Sequence, residues 1–328
     1  MLNPVFRREL NTLLRSWKTY GALTVYVAIL MAVERIAGLQ VNNYAYGRNY
    51  GFDPRIVAER YTLLSGFQFV LIAIITPALT AGAIAGERER QTLNLMLITK
   101  MSTFKIAAGK LMSSLSIVVL LIVASMPVFA MMFYYGGVSL PDLIAVILYT
   151  ILSSAAMGSI CIFLSSLFKR TVSATVLSYI TIMVLCIGTF VAAFLMYIVF
   201  NIFRMYNPLT GYNPYLSSSF STAYSTSAAA VAVGNIGEKV INAIFIAIFS
   251  LNPFVGFLSI IDTQMGTGVV DNLFYEINYM YRYSSYGGNT GSINLWAYNV
   301  AANIIITTLM LFFTSKVLTP VKASRKNK

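Results

Sequence analysis

The chain has 328 residues, 58% of them hydrophobic and 10% charged, with a mean hydropathy of +0.73. A soluble protein of this size cannot hide so much apolar surface, so the composition indicates a polytopic membrane protein, and the net charge of +12 points to membrane topology rather than nucleic acid. There is no His, and Cys161 and Cys186 both fall inside apolar runs, which excludes histidine-dependent zinc sites and Ser-His or Cys-His catalysis and gives no sign of a disulfide framework.

Residues 1–18 form an amphipathic segment. Phe6, Leu10, Leu13, Leu14 and Trp17 share one helical face, with Arg7, Arg8, Asn11, Arg15 and Lys18 on the other. This predicts an interfacial helix lying along the inner leaflet, and it lacks the short basic region and apolar core of a cleavable signal. The first span is expected over Thr19 to Gly38, with Glu34 and Arg35 near its outer end, where they can snorkel or pair. A Tyr-, Asn- and Gly-rich outer loop follows, Leu39 to Arg60. The second span, Tyr61 to Ala85, contains Pro77, which should kink it and free a backbone carbonyl. Ala78, Gly82 and Gly86 recur at intervals of four, a small-residue face that lets another helix approach closely.

A charged island, Gly86 to Lys110, then interrupts the apolar runs. Glu87, Arg88, Glu89 and Arg90 alternate in sign, and Leu93, Met96 and Leu97 recur at helical spacing, so a surface helix is expected over 87–99. From Gln91 to Thr99 such a helix is about 14 Å long against a hydrocarbon core of about 30 Å. It can lie on a membrane but cannot cross one. The residues alone suit both an ordinary amphipathic loop and a surface that meets a partner.

The third span, Leu111 to Tyr135, carries Pro127, and a tight turn from Gly136 to Pro141 returns the chain at once. The fourth span, Asp142 to Phe168, ends at Lys169 and Arg170. The fifth, Val172 to Phe200, is longer than a bilayer needs and should tilt or project outward. Residues 201–295 hold a Ser/Ala-rich stretch, Ser217 to Ala230, and a Tyr-rich stretch, Phe274 to Tyr286, which read as loop and surface. Between them Val240 to Ile261 is apolar but broken at Asn252 and Pro253. Six spans with the N-terminus inside place 16 Lys and Arg in the cytoplasm and seven outside, whereas a seventh span through Val240 to Ile261 makes the tally 12 against 11. The positive-inside rule therefore favours six spans, with Val240 to Ile261 as a helical hairpin that enters the outer leaflet and returns. The last span is Trp296 to Val317, and residues 318–328 form a basic cytoplasmic tail. The expected fold is an all-α integral membrane protein, with 19–317 as a single six-span domain.

This pattern resembles the permease subunit of type-2 ABC transporters, and within them the group made with nitrous-oxide reductase maturation systems. Three motifs carry the resemblance. Asn3-Pro4-Val5-Phe6-Arg7-Arg8-Glu9-Leu10 looks like that group's N-terminal helix; Gly86-Glu87-Arg88-Glu89-Arg90-Gln91-Thr92-Leu93, with Leu97 and Thr99, is similar to its Glu-x-Glu-x-x-Thr-Leu segment; and Leu251-Asn252-Pro253-Phe254 looks like its break before the final span. The family often has Pro after the Thr of the charged segment, where this chain has Lys100-Met101. The resemblance implies that 87–99 is a coupling helix seated in a cytoplasmic ATPase. Glu87, Glu89, Thr92, Leu93 and Leu97 would form the contact, and Arg88 and Arg90 would pair with the partner or with lipid headgroups. Arg7, Arg8 and Glu9 would touch the same ATPase from the side.

The sequence has no Gly-x-x-x-x-Gly-Lys-Ser/Thr loop, so no nucleotide site of its own is expected. The implied assembly is two permease subunits, identical or related, with a pair of ATPases that bind ATP and Mg. An enzyme is not expected, and this chain is expected to bind no cofactor. Competing functions are a transporter not driven by ATP and a non-transporting scaffold or regulatory subunit. The middles of the six expected spans contain no Asp, Glu, Lys or Arg, which argues against proton coupling.

Overall fold

The computed structural model describes residues 15–45, 54–92, 102–134, 138–192, 194–195, 198, 243–244, 246–266 and 295–318. The N-terminal segment with Arg7, Arg8 and Glu9, the island residues Leu93 and Leu97, the Ser/Ala- and Tyr-rich stretches and the basic tail lie outside the described residues. The helices are α1 (Trp17–Ala45), α2 (Pro54–Thr80), α3 (Ala85–Glu89), α4 (Thr103–Tyr134), α5 (Leu140–Leu167), α6 (Thr171–Met183), α7 (Pro253–Met265) and α8 (Leu295–Leu318). A π-helical turn, Val184–Gly188, continues α6.

Among the described residues, six helical segments are long and apolar enough to cross a membrane: Thr19–Gly38, Ile56–Glu89, Thr103–Phe133, Leu140–Leu167, Thr171–Ala192 and Leu295–Leu318. The protein is an all-α integral membrane protein. Several boundaries differ from the apolar runs for local reasons. α4 begins at Thr103, so Lys105 and Lys110 stand on the helix rather than before it. α5 starts where Ser139 and Asp142 form a capping box, with Pro in its first turn, where a missing N–H costs nothing. α7 starts at the sequence break, with the Asn252 side chain accepting from Phe254 N at 2.9 Å. It ends beyond Ile261 at Gly266, whose φ of 61° is left-handed and whose N–H donates to Asp262 O at 2.8 Å.

The chain divides into two compact units, residues 1–182 with 300–328, and residues 183–299. In the first, α5 is the central helix. Its apolar window is 61% buried by the protein, against 11% for α1. Its inward face carries Ser153, Ser154, Ala156, Gly158 and Ser159. Small side chains let helix backbones approach in a membrane, where lipid offers no hydrophobic drive for helix association. A Cβ on Gly158 would lie 3.0 Å from Leu111 Cδ1 on α4 and 3.2 Å from Thr80 Cγ2 on α2, so three helices converge there. Hydroxyls and amides supply the rest. Gln68 donates to Ser125 Oγ at 3.0 Å, linking α2 to α4, and Asn303 on α8 donates to Ser153 Oγ on α5 at 3.3 Å. Ile84, Ala107, Leu111, Ile162, Leu311 and Leu318 form an apolar cluster at one end of this unit.

The second unit is tied by two asparagines with no solvent exposure. Asn252 Nδ2 donates to Cys186 O in the π turn at 2.9 Å and to Thr189 Oγ1 at 2.7 Å. Asn299 Nδ2, on the first turns of α8, donates to Ser250 O at 2.8 Å and Asn252 O at 2.7 Å. A π turn breaks the regular ladder, and the break at 251–252 exposes carbonyls, so side-chain amides take over where backbone partners are missing.

Two substitutions check this packing through thermal unfolding in detergent micelles. Gly158→Leu overfills the convergence and should cost about 1–3 kcal/mol. Asn299→Leu takes a donor from one buried and one part-buried carbonyl and should cost about 1–3 kcal/mol, with Asn299→Gln recovering part of the loss.

Candidate functional site

The charged segment after α2 is built on a local failure of the helix. α2 ends at Thr80 rather than Ala85, and Ala83 N turns back to Thr80 O at 3.1 Å. The next two N–H groups, of Ile84 and Ala85, both donate to Ser165 Oγ of α5, at 3.1 and 2.9 Å. Ser165 is fully buried. Its hydroxyl takes the place of the missing carbonyl acceptors and allows the chain to restart as α3.

α3 is one turn long. Arg90 N reaches Gly86 O at 3.1 Å, and the chain then reverses at Gln91, whose φ of 59° is left-handed. Thr92 folds back, its N–H donating to Glu87 O at 2.9 Å and its hydroxyl to the Glu87 carboxylate. The helix expected over 87–99 therefore does not run through: it ends at Glu89, and the remainder, 93–100, lies outside the described residues. The reversal wins because Thr92 hydrogen-bonds back to Glu87 through its N–H and its hydroxyl, while the Arg88 and Glu89 side chains are held by neighbouring helices.

Those side chains have definite partners. The Arg88 guanidinium donates to Phe168 O at 3.1 Å and Ser166 O at 2.9 Å. These are among the last carbonyls of α5, which have no partner within their helix and carry its negative partial charge. Glu89 accepts from Thr171 N at 3.2 Å and Thr171 Oγ1 at 2.5 Å. Thr171 opens α6, where free N–H groups carry positive partial charge. Two adjacent residues of opposite sign thus fasten two opposite helix ends on either side of the Lys169-Arg170 turn. Glu87 pairs with Lys110 Nζ on α4 at 3.0 Å, and the Lys110 side chain is 9% exposed. Thr171 also packs against the small residues. A Cβ on Gly82 would meet its methyl at 3.2 Å, and one on Gly86 its hydroxyl at 3.8 Å. Ala78, the third member of that expected face, is exposed.

The structure therefore brings together Glu87, Arg88, Glu89 and Thr92, leaves Arg90, Gln91 and Thr92 exposed, and sets Asn252 and Pro253 at the start of α7. Arg88, for which a partner protein or lipid headgroups were expected, is paired within the chain. Ser165, Thr171 and Lys110 belong to the site and were not singled out from sequence. Ser165 and Thr171 are small hydroxyl residues at helix ends, common in spans, and their role depends on which segment crosses them. Among the described residues no group of three or more His, Cys, Asp or Glu could hold a metal ion.

Two measurements test the local energetics. Glu87→Gln and Lys110→Met should each lower stability by about 1–3 kcal/mol, because each removes one partner of a largely buried ion pair, and the double variant should lose clearly less than the sum. Gln91→Val should cost about 1–2 kcal/mol at its left-handed backbone, while Gln91→Gly should not.

A comparison with curated proteins found no match. A family model described as "ABC-2 family transporter protein" matches residues 4–263, most of the chain, including α1 to α6 and nearly all of α7. The chain belongs to the ABC-2 family of transporter proteins and is a membrane component of an ABC transporter.

Proposed function

We propose that the chain is the permease subunit of an ATP-driven exporter, driven through residues 86–100 by a separate cytoplasmic ATPase. The observation that supports this best is the tethering of 85–92 to α4 through Lys110 and to α5 and α6 through Ser165, Arg88 and Glu89. A loop that merely joins two spans needs no such ties. A segment that receives force does. Exposed Arg90 and Thr92, with Leu93 and Leu97 beyond them in sequence, form the contact with the ATPase, and Glu87, Arg88 and Glu89 hold that contact to the bundle.

In this reading the excess of Lys and Arg puts both termini in the cytoplasm of a cell-membrane protein. Arg7, Arg8 and Glu9 touch the ATPase from the side, ATP and Mg bind to the ATPase dimer, and a second permease completes the pathway. The break at Asn252-Pro253 belongs to an outer gate. The subgroup served by nitrous-oxide reductase maturation permeases fits the three motifs at 3–10, 86–99 and 251–254. Mostly apolar span surfaces suit amphipathic cargo such as lipids or peptides.

Purification from native membranes should bring down an ATPase whose hydrolysis rises when the permease is present. Leu93→Asp should reduce that stimulation at least ten-fold without loss of the permease from the membrane. Intact assembly and stimulation in Leu93→Asp would reject coupling through this segment, and a wild-type permease that stimulates no ATPase would favour a scaffold or regulatory role.

A further inference from the structure

The route by which force leaves the charged segment can be read from its bonds. Along the chain α3 is joined to α2, but at residues 81–84 that join is weakened: the N–H groups of Ile84 and Ala85 have left the helical ladder for Ser165 Oγ. A helix interrupted in this way hinges where its own ladder is missing. The ties to the α5–α6 turn are of another kind. Arg88 forks onto two carbonyls at the end of α5, and Glu89 receives two donors at the start of α6, each bond assisted by a charge. Geometry favours the fork, since the two acceptors, Ser166 O and Phe168 O, lie two residues apart and a planar guanidinium reaches both.

We infer that Arg88 and Glu89 are positioning residues that deliver motion of the charged segment to the joint between the fourth and fifth spans, ahead of the second span from which the segment emerges. The inference rests on the proposed coupling to an ATPase. Arg88 acts through Ser166 and Phe168, and Glu89 through Thr171. Without them the segment still meets its partner and keeps its ties to Ser165 and Lys110, but it pivots on those ties and the α5–α6 joint stays behind.

The test uses the full chain in nanodiscs of phosphatidylethanolamine and phosphatidylglycerol, with amide hydrogen exchange read over 166–174. In the permease alone, Arg88→Gln should speed exchange there at least ten-fold, and Arg88→Lys, whose single ammonium cannot fork, should fall between it and wild type. With the co-purifying ATPase and a non-hydrolysable ATP analogue, wild type should show a nucleotide-dependent change in exchange over 166–174. Arg88→Gln should lose at least five-fold of that response while the Kd for the ATPase stays within two-fold. Thr171→Val, which removes only a hydroxyl, should lose at least two-fold of it, and it carries the test if Arg88→Gln does not fold. A Kd weakened ten-fold or more, with the response restored at saturating ATPase, would make these residues partner contacts and overturn the inference; so would an unchanged response in both variants. If no ATPase binds wild type, the coupling reading fails, whereas unchanged exchange in the permease alone counts against the Arg88 tie itself.

Discussion

The interaction on which the described structure turns is the capping of two helix ends by neighbouring side chains of opposite charge. A transmembrane helix that stops near the bilayer surface leaves carbonyls at one end and N–H groups at the other, and each set carries a fixed partial charge. At the α5–α6 turn both kinds of end lie within a few residues. Water could solvate them, but Arg88 and Glu89 do so instead, and this fixes the direction of a segment that has no long helix of its own. The Glu-Arg-Glu alternation thus has a structural reason that helical self-pairing does not supply: in a helix of one turn, each charge answers a different neighbour.

The same logic explains why serine and threonine are so frequent inside this membrane protein. Ser165, Ser153, Ser125 and Thr171 each accept or donate across a helix contact. Others, such as Thr76, Thr80 and Thr150, return their hydroxyl to the carbonyl four residues back. The second habit hides a polar group at little cost and leaves a small, smooth surface; the first links helices. Side chains of one chemical type therefore serve as filler or as fastener according to whether a broken backbone or a polar side chain lies opposite.

Much of the architecture was legible from apolar runs because the bilayer sets a length that sequence must match. The first span was expected at Thr19 to Gly38, and the apolar segment of α1 has those limits. Asn252-Pro253 was expected as a break, and α7 begins there because an amide acceptor followed by a ring without N–H suits a helix start. The charged segment was less legible. Its Leu and Met spacing favours a helix through Thr99, yet the helix stops at Glu89, and Ala81 to Ile84 contains no residue that demands a break apart from the permissive Gly82. The break at 81–84 is caused by Ser165, some 80 positions along the chain, and periodicity within one segment carries no information about such a partner. The left-handed Gln91 was likewise unreadable, because glutamine gives no turn signal.

Asn299 also constrains the order in which the membrane protein can be assembled. α7 has 13 residues, about 20 Å of helix, too short to cross the hydrocarbon on its own. The carbonyls of Ser250 and Asn252 just before it receive their side-chain donors from Asn299, a residue made only when the final helix emerges. Until then the break waits with its polar groups partly unanswered. Completion of the region around α7 is thus a late event in biosynthesis, and a chain cut short before α8 would carry an unfinished, polar fault into the bilayer, the kind of defect that membrane quality control can recognise.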